Sequence, residues 1–219
     1  MFDSFGRLTQ SQQVTDGQTY TSSYEYNFAG ALIKETYPSG REVKIELESD
    51  GDLSRIYGKA NSNATERTYA NSFLYTADGR ISQLKLGNGL WESAKFNNRL
   101  QVTEFNLGIG VNDSSRFKLP YQYGELNSDG SIDTNKNTGN IAKQISSFAG
   151  LTNPFVQTFK YDSLYRLIEA TEKNGTTQTW KQNFGYDRFG NRISFVDEIN
   201  GQVQQNNNLR HPSIDANTN

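Results

Sequence analysis

The sequence contains no cysteine, which excludes disulfide bonds, thiolate catalysis and zinc sites built on cysteine. It contains one histidine, His211, so a site that needs several histidines is excluded as well. No apolar run approaches the length of a membrane helix, and the first residues do not resemble a signal peptide. These absences predict no metal centre, no cofactor and no membrane span.

Apolar residues are scarce, at 34% of the chain, and the mean hydropathy is −0.76. This content is too low for a sheet sandwich with a thick core, while 12% aromatic residues are too many for a disordered chain. The net charge of −2 argues against nucleic acid or an anionic membrane surface as the main partner. A single twisted sheet, apolar on parts of one face, fits this composition.

One heptad, residues 186–192, shows the pattern on which the chain is built, and its letters are YDRFGNR. Asp187 and Gly190 stand at the first and fourth positions of a four-residue turn. A type I turn prefers Asp at the first position, where its side chain accepts from following amides, and Gly at the fourth. The heptad therefore predicts a hairpin tip with an aromatic residue on one flank and a cation on the other.

Further copies of the heptad begin at residues 2, 26, 47, 75 and 161, with the letters FDSFGRL, YNFAGAL, LESDGDL, YTADGRI and YDSLYRL. The intervals of 24, 21, 28 and 25 residues between neighbouring copies are typical of a repeat architecture. The motif positions are Phe2, Asp3, Gly6, Arg7, Tyr26, Gly30, Tyr75, Gly79, Arg80, Tyr161, Asp162, Arg166, Tyr186, Asp187, Gly190, Asn191 and Arg192.

These heptads resemble the YD repeats of the RHS family, whose members include insecticidal toxin-complex shells and teneurins. The resemblance covers residues 2–104 and 157–205. It implies that antiparallel hairpins spiral into a hollow β shell. In toxin-bearing relatives that shell encloses a C-terminal effector, and in teneurins it belongs to an extracellular adhesion protein. The implied partners are the remainder of a larger polypeptide and an enclosed effector, at a secreted or cell-surface location.

A second kind of turn lies between the heptads. Asp16-Gly17, Asn88-Gly89, Asn174-Gly175 and Asn200-Gly201 predict two-residue loops of type I′, and Pro38-Ser39-Gly40 predicts a turn with the same task. Turns then recur every 10 to 13 residues near the N-terminus, which leaves room for strands of about five to eight residues. Start signals for helices are missing. The predicted fold is all-β, an antiparallel meander of hairpin repeats forming part of a spiralling YD-repeat shell.

Four segments follow from this pattern. YD-repeat hairpins occupy residues 2–104 and 157–205, and a polar tail occupies residues 206–219. Residues 105–156 lose the rhythm and are interpreted as an irregular β and loop spacer in the same shell. The tip at residues 96–101 is interpreted as one residue short.

The remaining candidates for chemistry each have a simpler interpretation. His211 fits a solvated tail residue better than a general base. Glu46 and Glu48 fit a charged outer face, because a glycosidase needs carboxylates that face each other across a cleft. The run Asp129, Ser131, Asp133 and Asn135 invites calcium, but the glycine and the final glutamate of such a loop are out of place. A polar loop is the favoured interpretation.

The aromatic residues of the tips allow two hypotheses. In the first, Tyr161 or Tyr186 packs on neighbouring strands, while arginines lie on aromatic faces or pair with Asp162 or Asp187 of an adjacent repeat. In the second, the rings bind sugar by stacking. Repetition favours the structural hypothesis, since a catalytic residue is needed once and a supporting residue at every turn.

Three departures from the family pattern stand out. Tyr165 occupies the glycine position of its tip, so that turn must be strained or change type. The stretch that closes the family's shell is missing, and nothing resembling an effector follows Gly201. The first heptad begins without a preceding strand, which suggests a piece of a larger protein. The favoured hypothesis is a non-enzymatic shell segment, and the alternative is a carbohydrate- or cell-surface-binding repeat module.

Overall fold

Short antiparallel hairpins make up nearly all of the structure, a computed structural model that describes residues 1–204. His211 and the predicted tail 206–219 lie outside the described residues. Among residues 1–204 the only helical segment is the 3-10 turn Thr134–Lys136. The strands are β1 Gln10–Thr15, β2 Gln18–Tyr26, β3 Leu32–Thr36, β4 Glu42–Leu47, β5 Leu53–Lys59, β6 Arg67–Tyr75, β7 Ile81–Leu86, β8 Trp91–Phe96, β9 Val102–Gly108, β10 Phe117–Tyr123, β11 Glu125–Leu126, β12 Ile132–Asp133, β13 Ile141–Phe148, β14 Phe155–Tyr161, β15 Leu167–Asn174, β16 Thr177–Tyr186, β17 Arg192–Ile199 and β18 Gln202–Val203.

The chain divides into two compact units, and the first comprises Met1–Ser93 with Gly108–Asp113. In this unit each strand from β1 to β8 pairs antiparallel with the next strand in the sequence. The strand order therefore follows the chain order. This is the antiparallel meander that the spacing of turns predicts, and the predicted all-β fold is confirmed.

The second unit comprises Ala94–Leu107 and the described residues from Ser114 onward. Its ladder runs from β9 to β10, then to β13 and on to β18, again with every pair antiparallel. Strands β11 and β12 pair only with each other, as a small ribbon inserted between β10 and β13. This insertion explains why the sequence rhythm is lost within residues 105–156.

The register shifts by one residue at the tips of the repeat hairpins. Tyr26 pairs with Leu32, Tyr161 with Leu167 and Tyr186 with Arg192, each directly after such a shift. The first and seventh residues of a heptad thus face each other across the hairpin. The heptad is therefore one complete tip with the last pair of its flanking strands.

The hydrophobic core is small, as the low apolar content predicts. Within residues 1–204 only Ala70, Ala142 and Ala170 are buried apolar residues, and no large side chain is fully buried. Buried polar residues are as prominent, namely Gln83, Ser93, Asn106, Thr171 and Asp197. Hydrophobic burial therefore contributes less to this fold than to a sandwich of comparable size.

Charged side chains form ladders across neighbouring strands. Glu104 on β9 accepts from Lys95 at 2.7 Å and lies 3.3 Å from Lys118 on the next strand. Glu169 on β15 is held in the same way between Lys160 and Lys181, at 2.8 and 3.0 Å. Opposite charges in cross-strand positions stabilise a sheet, and each central carboxylate here serves two neighbours.

Two of the predicted two-residue turns are confirmed and two are wrong. Both loop residues have positive φ in Asp16-Gly17 and in Asn200-Gly201, as type I′ requires. Asn88-Gly89 instead lies in a longer loop, in which the Leu86 amide donates to the Leu90 carbonyl. In the fourth turn, Asn174 pairs with Thr177, so Gly175 and Thr176 form the loop. Positive φ at Gly175 alone matches type II′.

Two further tips differ from their predicted form. Residues 37–41, which contain Pro38, form the same five-residue loop as the YD heptads, because Tyr37 donates to Arg41 and Gly40 donates to Tyr37. The tip at residues 96–101 is not short. Asn97 donates to the Gln101 carbonyl across a full-length loop, and Leu100 takes the glycine position with φ of 61°.

The conformation of Gly190 gives the first testable prediction. Its φ is 90°, and a Cβ added there would have no heavy atom within 4 Å, so a substitution would cost only backbone strain. We expect Gly190→Val to lower the free energy of unfolding by about 1 kcal/mol or more, because a left-handed backbone penalises an L side chain. We expect Gly190→Asn to cost less, because Asn tolerates this conformation.

Tyr165 has φ of 61° in the equivalent position, so we expect Tyr165→Gly to be neutral or stabilising. Urea or thermal unfolding measures all three variants. Equal stability of Gly190→Val and wild type would refute the turn assignment and the repeat register with it.

The Glu104 ladder gives a prediction about pH. Burial by itself raises the pKa of Glu104, but hydrogen bonds from Lys95, Asn106 and Lys118 outweigh it and lower the pKa to about 2. A lowered pKa in the folded state means that ionised Glu104 stabilises the fold above the unfolded pKa of about 4.3. This contribution is lost as pH falls from there towards about 2.

We therefore expect Glu104→Gln to destabilise the protein at neutral pH and to lose this effect as the pH is lowered through that window. Unfolding by urea at several pH values gives the difference in free energy from wild type. Glu92→Gln, at an exposed position, controls for the removal of one negative charge. A penalty for Glu104→Gln that stays constant with pH would contradict the prediction.

Candidate functional site

The tip at residues 187–191 is held by its first residue. The Asp187 amide donates to the Asn191 carbonyl at 3.0 Å, and the Gly190 amide donates to the Asp187 carbonyl at 3.2 Å. The Asp187 carboxylate also accepts from the amides of Phe189 and Asn191, at 2.8 and 2.9 Å. Asp187 thus satisfies the inner amides of the turn, and Gly190 supplies the positive φ that closes it.

This five-residue loop recurs throughout the described residues. In every copy the amide of the first residue donates to the fifth carbonyl, and the fourth amide donates to the first carbonyl. The first residues of these loops are Asp3, Asn27, Tyr37, Glu48, Thr76, Leu86, Asn97, Asn127, Asp162 and Asp187. Glycine has the fourth position in all of them except those that contain Leu100 and Tyr165.

The tip aspartates are held as carboxylates. A hydrogen bond from the backbone amide of Arg7 lowers the pKa of Asp3, and the amide of Arg166 does the same for the pKa of Asp162. For Asp187 the largest cause of its lowered pKa is the side-chain amide of Asn191. A carboxyl group with a lowered pKa is ionised at neutral pH, so these aspartates are suited to hydrogen bonding and not to general-acid catalysis.

The arginine of a tip connects its own aspartate to the next tip. Arg7 donates through Nε to Asp3 at 2.7 Å and through Nη1 to the Asn27 carbonyl at 2.9 Å. Arg166 likewise donates to Asp162 at 2.7 Å and to the Asp187 carbonyl at 3.1 Å. Its guanidinium carbon lies 4.7 Å from the ring centroid of Tyr186.

The predicted stacking of Arg166 on an aromatic face is therefore confirmed, but pairing with the aspartate of an adjacent repeat is wrong. Arg166 pairs with the aspartate of its own tip, because the fourth residue after the aspartate returns beside it across the loop. The guanidinium then has a second donor free to reach the neighbouring tip, where it meets a backbone carbonyl.

The tyrosine of a tip makes the return contact. Tyr26 donates its hydroxyl to the Leu8 carbonyl at 2.9 Å, and Tyr186 donates to the Leu167 carbonyl at 2.8 Å. The acceptor is in each case the residue directly after the preceding tip. The same bond recurs from Tyr75 to Leu53, from Tyr123 to Val102 and from Tyr161 to Ile141. We call the arginine and tyrosine bonds together the tip-to-tip contact.

The sequence analysis missed the tip-to-tip contact around the inserted ribbon. Tyr123 ends β10 without a heptad behind it, yet it bonds the Val102 carbonyl as the other tyrosines do. Arg99 donates to the Asn137 carbonyl at 2.7 Å, and Gln101 and Asn137 exchange amide hydrogen bonds at 2.8 and 3.2 Å. The available signal was the asparagine at position 137, which begins a segment spaced like a tip.

The other predicted motif residues depart from this arrangement. Arg80 pairs with Asp78 at 3.0 Å, since Thr76 replaces the aspartate of its tip. Arg192 lies one position beyond the arginines that connect tips, with its guanidinium carbon 5.4 Å from the Phe195 ring centroid. Asn191 takes the position of the connecting arginine and donates to Asp187 at 3.0 Å. Phe2 forms a bridge with Leu8 and is largely exposed.

The other candidates for chemistry are engaged elsewhere. Glu46 lies 3.6 Å from Arg55, and Glu48 begins a tip rather than extending the strand. Asp129 accepts from the amide and hydroxyl of Ser131, at 2.9 and 2.6 Å. Within residues 1–204 no three acidic or histidine side chains are grouped so as to hold a metal ion. No helix in that part of the chain is long and apolar enough to cross a membrane.

Two clefts flank the β11–β12 ribbon of the second unit. One, of about 460 Å³, is lined by Tyr121, Tyr123 and Lys143 on the ladder and by Ile132 and Asn137 on the inserted segment. The other, of about 470 Å³, lies between the ribbon and the tip at residues 162–166. Both volumes are in the range of small-molecule sites.

The tip-to-tip contact gives a prediction about the tyrosine hydroxyl. We expect Tyr186→Phe to lower the free energy of unfolding by about 1 kcal/mol, because it removes one hydrogen bond and leaves the Leu167 carbonyl without this donor. Tyr20→Phe removes a hydroxyl from a half-exposed ring and should be nearly neutral. Urea unfolding compares the two, and equal effects would show that the hydroxyl bond does not hold the tips.

Comparison with known proteins agrees with this geometry. The family model described as RHS Repeat matches residues 2–42. No curated protein matches the sequence. A solved structure of the Photorhabdus luminescens Tc holotoxin pore matches with a TM-score of 0.69 and 19% identity, over 89% of this chain and 11% of that chain. The crystal structure of TcdB2-TccC3 matches with a TM-score of 0.74 and 18% identity, over 93% of this chain and 12% of that one.

At these identities the solved structures show a shared fold, and this chain spans about an eighth or less of their length. The family match covers the first two heptads, at residues 2 and 26, and the tips that follow repeat the same loop and the same tyrosine bond. The chain is built of RHS/YD repeats.

Proposed function

We propose that this chain is a non-enzymatic structural segment of an RHS/YD-repeat shell. The tip-to-tip contact is the observation that carries the proposal. It places the residues that define the motif between one hairpin and the next, as in Tyr186 to Leu167 and Arg166 to Asp187. A residue used in this way determines how hairpins are held in register.

The chemistry of the motif residues supports a structural role. The tyrosine hydroxyls donate to backbone carbonyls, and the Asp3 and Asp162 carboxylates accept from two backbone amides and one arginine. A catalytic carboxylate or hydroxyl needs a free position for substrate, and these groups are occupied by the fold itself. Their recurrence supports the same reading, since catalysis needs one such group and a wall needs one at every tip.

The segment would act within a longer polypeptide. The matched toxin structures are about eight to nine times longer than this chain, as their coverage of 11% to 12% indicates. We infer that the hairpins contribute to a hollow shell around a C-terminal effector, outside the producing cell. The partners are then the rest of that polypeptide and the enclosed effector.

A repeat module that binds carbohydrate or a cell surface is the alternative function. The observation in its favour is that several tips present exposed rings, among them Phe5, Phe28 and Phe189. A glycan array distinguishes the alternatives. Binding by the wild type that is lost when these tip rings are replaced by alanine would favour the module over the wall.

An activity screen tests the structural proposal. We expect the purified chain to show no hydrolase, nuclease or transferase turnover, because no nucleophile and base are brought together in the described residues. Glu46→Gln and Glu48→Gln address the carboxylates closest to a pair in sequence. Turnover that either substitution abolishes would overturn the proposal.

A further inference from the structure

The cleft between the β11–β12 ribbon and the tip at residues 162–166 has the form of a ligand site. Its volume is about 470 Å³, and its apolar lining comes from Leu126 on the ribbon and Phe159, Tyr161 and Ile168 on the ladder. Ligand sites combine such a lining with a few polar groups that fix orientation. Glu125, Lys136 and Thr138 supply polar groups here.

Tyr165 lines the same cleft and has an unusual backbone. It occupies the fourth position of its tip with φ of 61°, where most tips have glycine. A bulky residue in this conformation is unfavourable, and such outliers concentrate at functional sites. Packing does not repay the strain, since 62% of Tyr165 is exposed. The tip-to-tip contact does not use its ring either, because Arg166 and Tyr186 make that contact.

The charges around the cleft are balanced by pairs. Glu125 lies 2.9 Å from Lys136, and Lys160 lies 2.8 Å from Glu169. Asp162 is bound by Arg166 at 2.7 Å. A charged ligand would have to compete with one of these pairs, whereas an uncharged ligand can accept and donate hydrogen bonds without separating them.

We propose that this cleft binds a neutral saccharide, with the apolar face of one sugar ring against Tyr165. A sugar ring combines an apolar face with hydroxyl groups that both donate and accept. The Glu125 carboxylate can accept from such hydroxyls, the Lys136 ammonium can donate to them, and the Thr138 hydroxyl can do either. The site is independent of the shell role, because its ring and its ribbon lie outside the tip-to-tip contact.

Tyr165→Gly separates binding from folding. This substitution removes the ring and relieves the positive φ, so the variant should be at least as stable as the wild type. The probes are maltose, cellobiose and N,N′-diacetylchitobiose, measured on the full chain by saturation-transfer NMR and calorimetry. We expect saturable binding of at least one probe by the wild type, weakened about tenfold or more in Tyr165→Gly.

Leu100→Gly is the matched control, because Leu100 has the same φ of 61° in another tip and does not line this cleft. It should leave the affinity within about twofold of wild type. Absence of saturable binding for all three probes would overturn the proposal, and so would equal losses in Leu100→Gly and Tyr165→Gly. Stronger binding of sialyllactose, or displacement of the probe by an uncharged aromatic peptide, would likewise contradict a site for neutral saccharides.

Discussion

The hydrogen bond from a tip tyrosine to the carbonyl behind the preceding tip is the interaction on which the rest of each unit depends. Antiparallel strands alone fix each strand to its neighbour, and a slip by one residue would turn every side chain to the other face. The bond from Tyr186 to Leu167 crosses two strands, so it ties one hairpin to the next at a fixed register. Arg166 makes the reverse bond to Asp187, which fixes both ends of the same span.

A sheet with so few buried apolar residues needs this polar reinforcement. Each hydrogen bond contributes only about 0.5–1.5 kcal/mol net, but the contact recurs along the chain, and stability in repeat proteins adds up from neighbouring units. The lysine–carboxylate ladders act in the strand centres as the tips act at the strand ends. Glu104 and Glu169 each join three consecutive strands through two lysines. Polar side chains thus do much of the work that a hydrophobic core does in a sandwich.

The sequence predicts the parts of this structure that depend on near neighbours. Asp187 and Gly190 determine a turn within four residues, so the tip and the strands beside it follow from the letters alone. Asn88-Gly89 and Asn174-Gly175 were misassigned because the same dipeptide fits loops of different length, and strand pairing decides between them. The bonds that join Gln101 to Asn137 span 36 residues, and no local pattern indicates such a pairing.

A periodic fold separates the residues that build it from those that do something else. Positions that recur at every tip, such as the connecting tyrosine, are explained by the repeat. A residue that breaks the repeat at a cost in backbone strain requires its own explanation. At Leu100 the neighbouring Arg99 and Gln101 both bind Asn137, so that tip gains local anchors that accompany its strain. Tyr165 instead exposes its ring beside a cleft, and a ligand for that ring is the physical reason that the structure offers for keeping it.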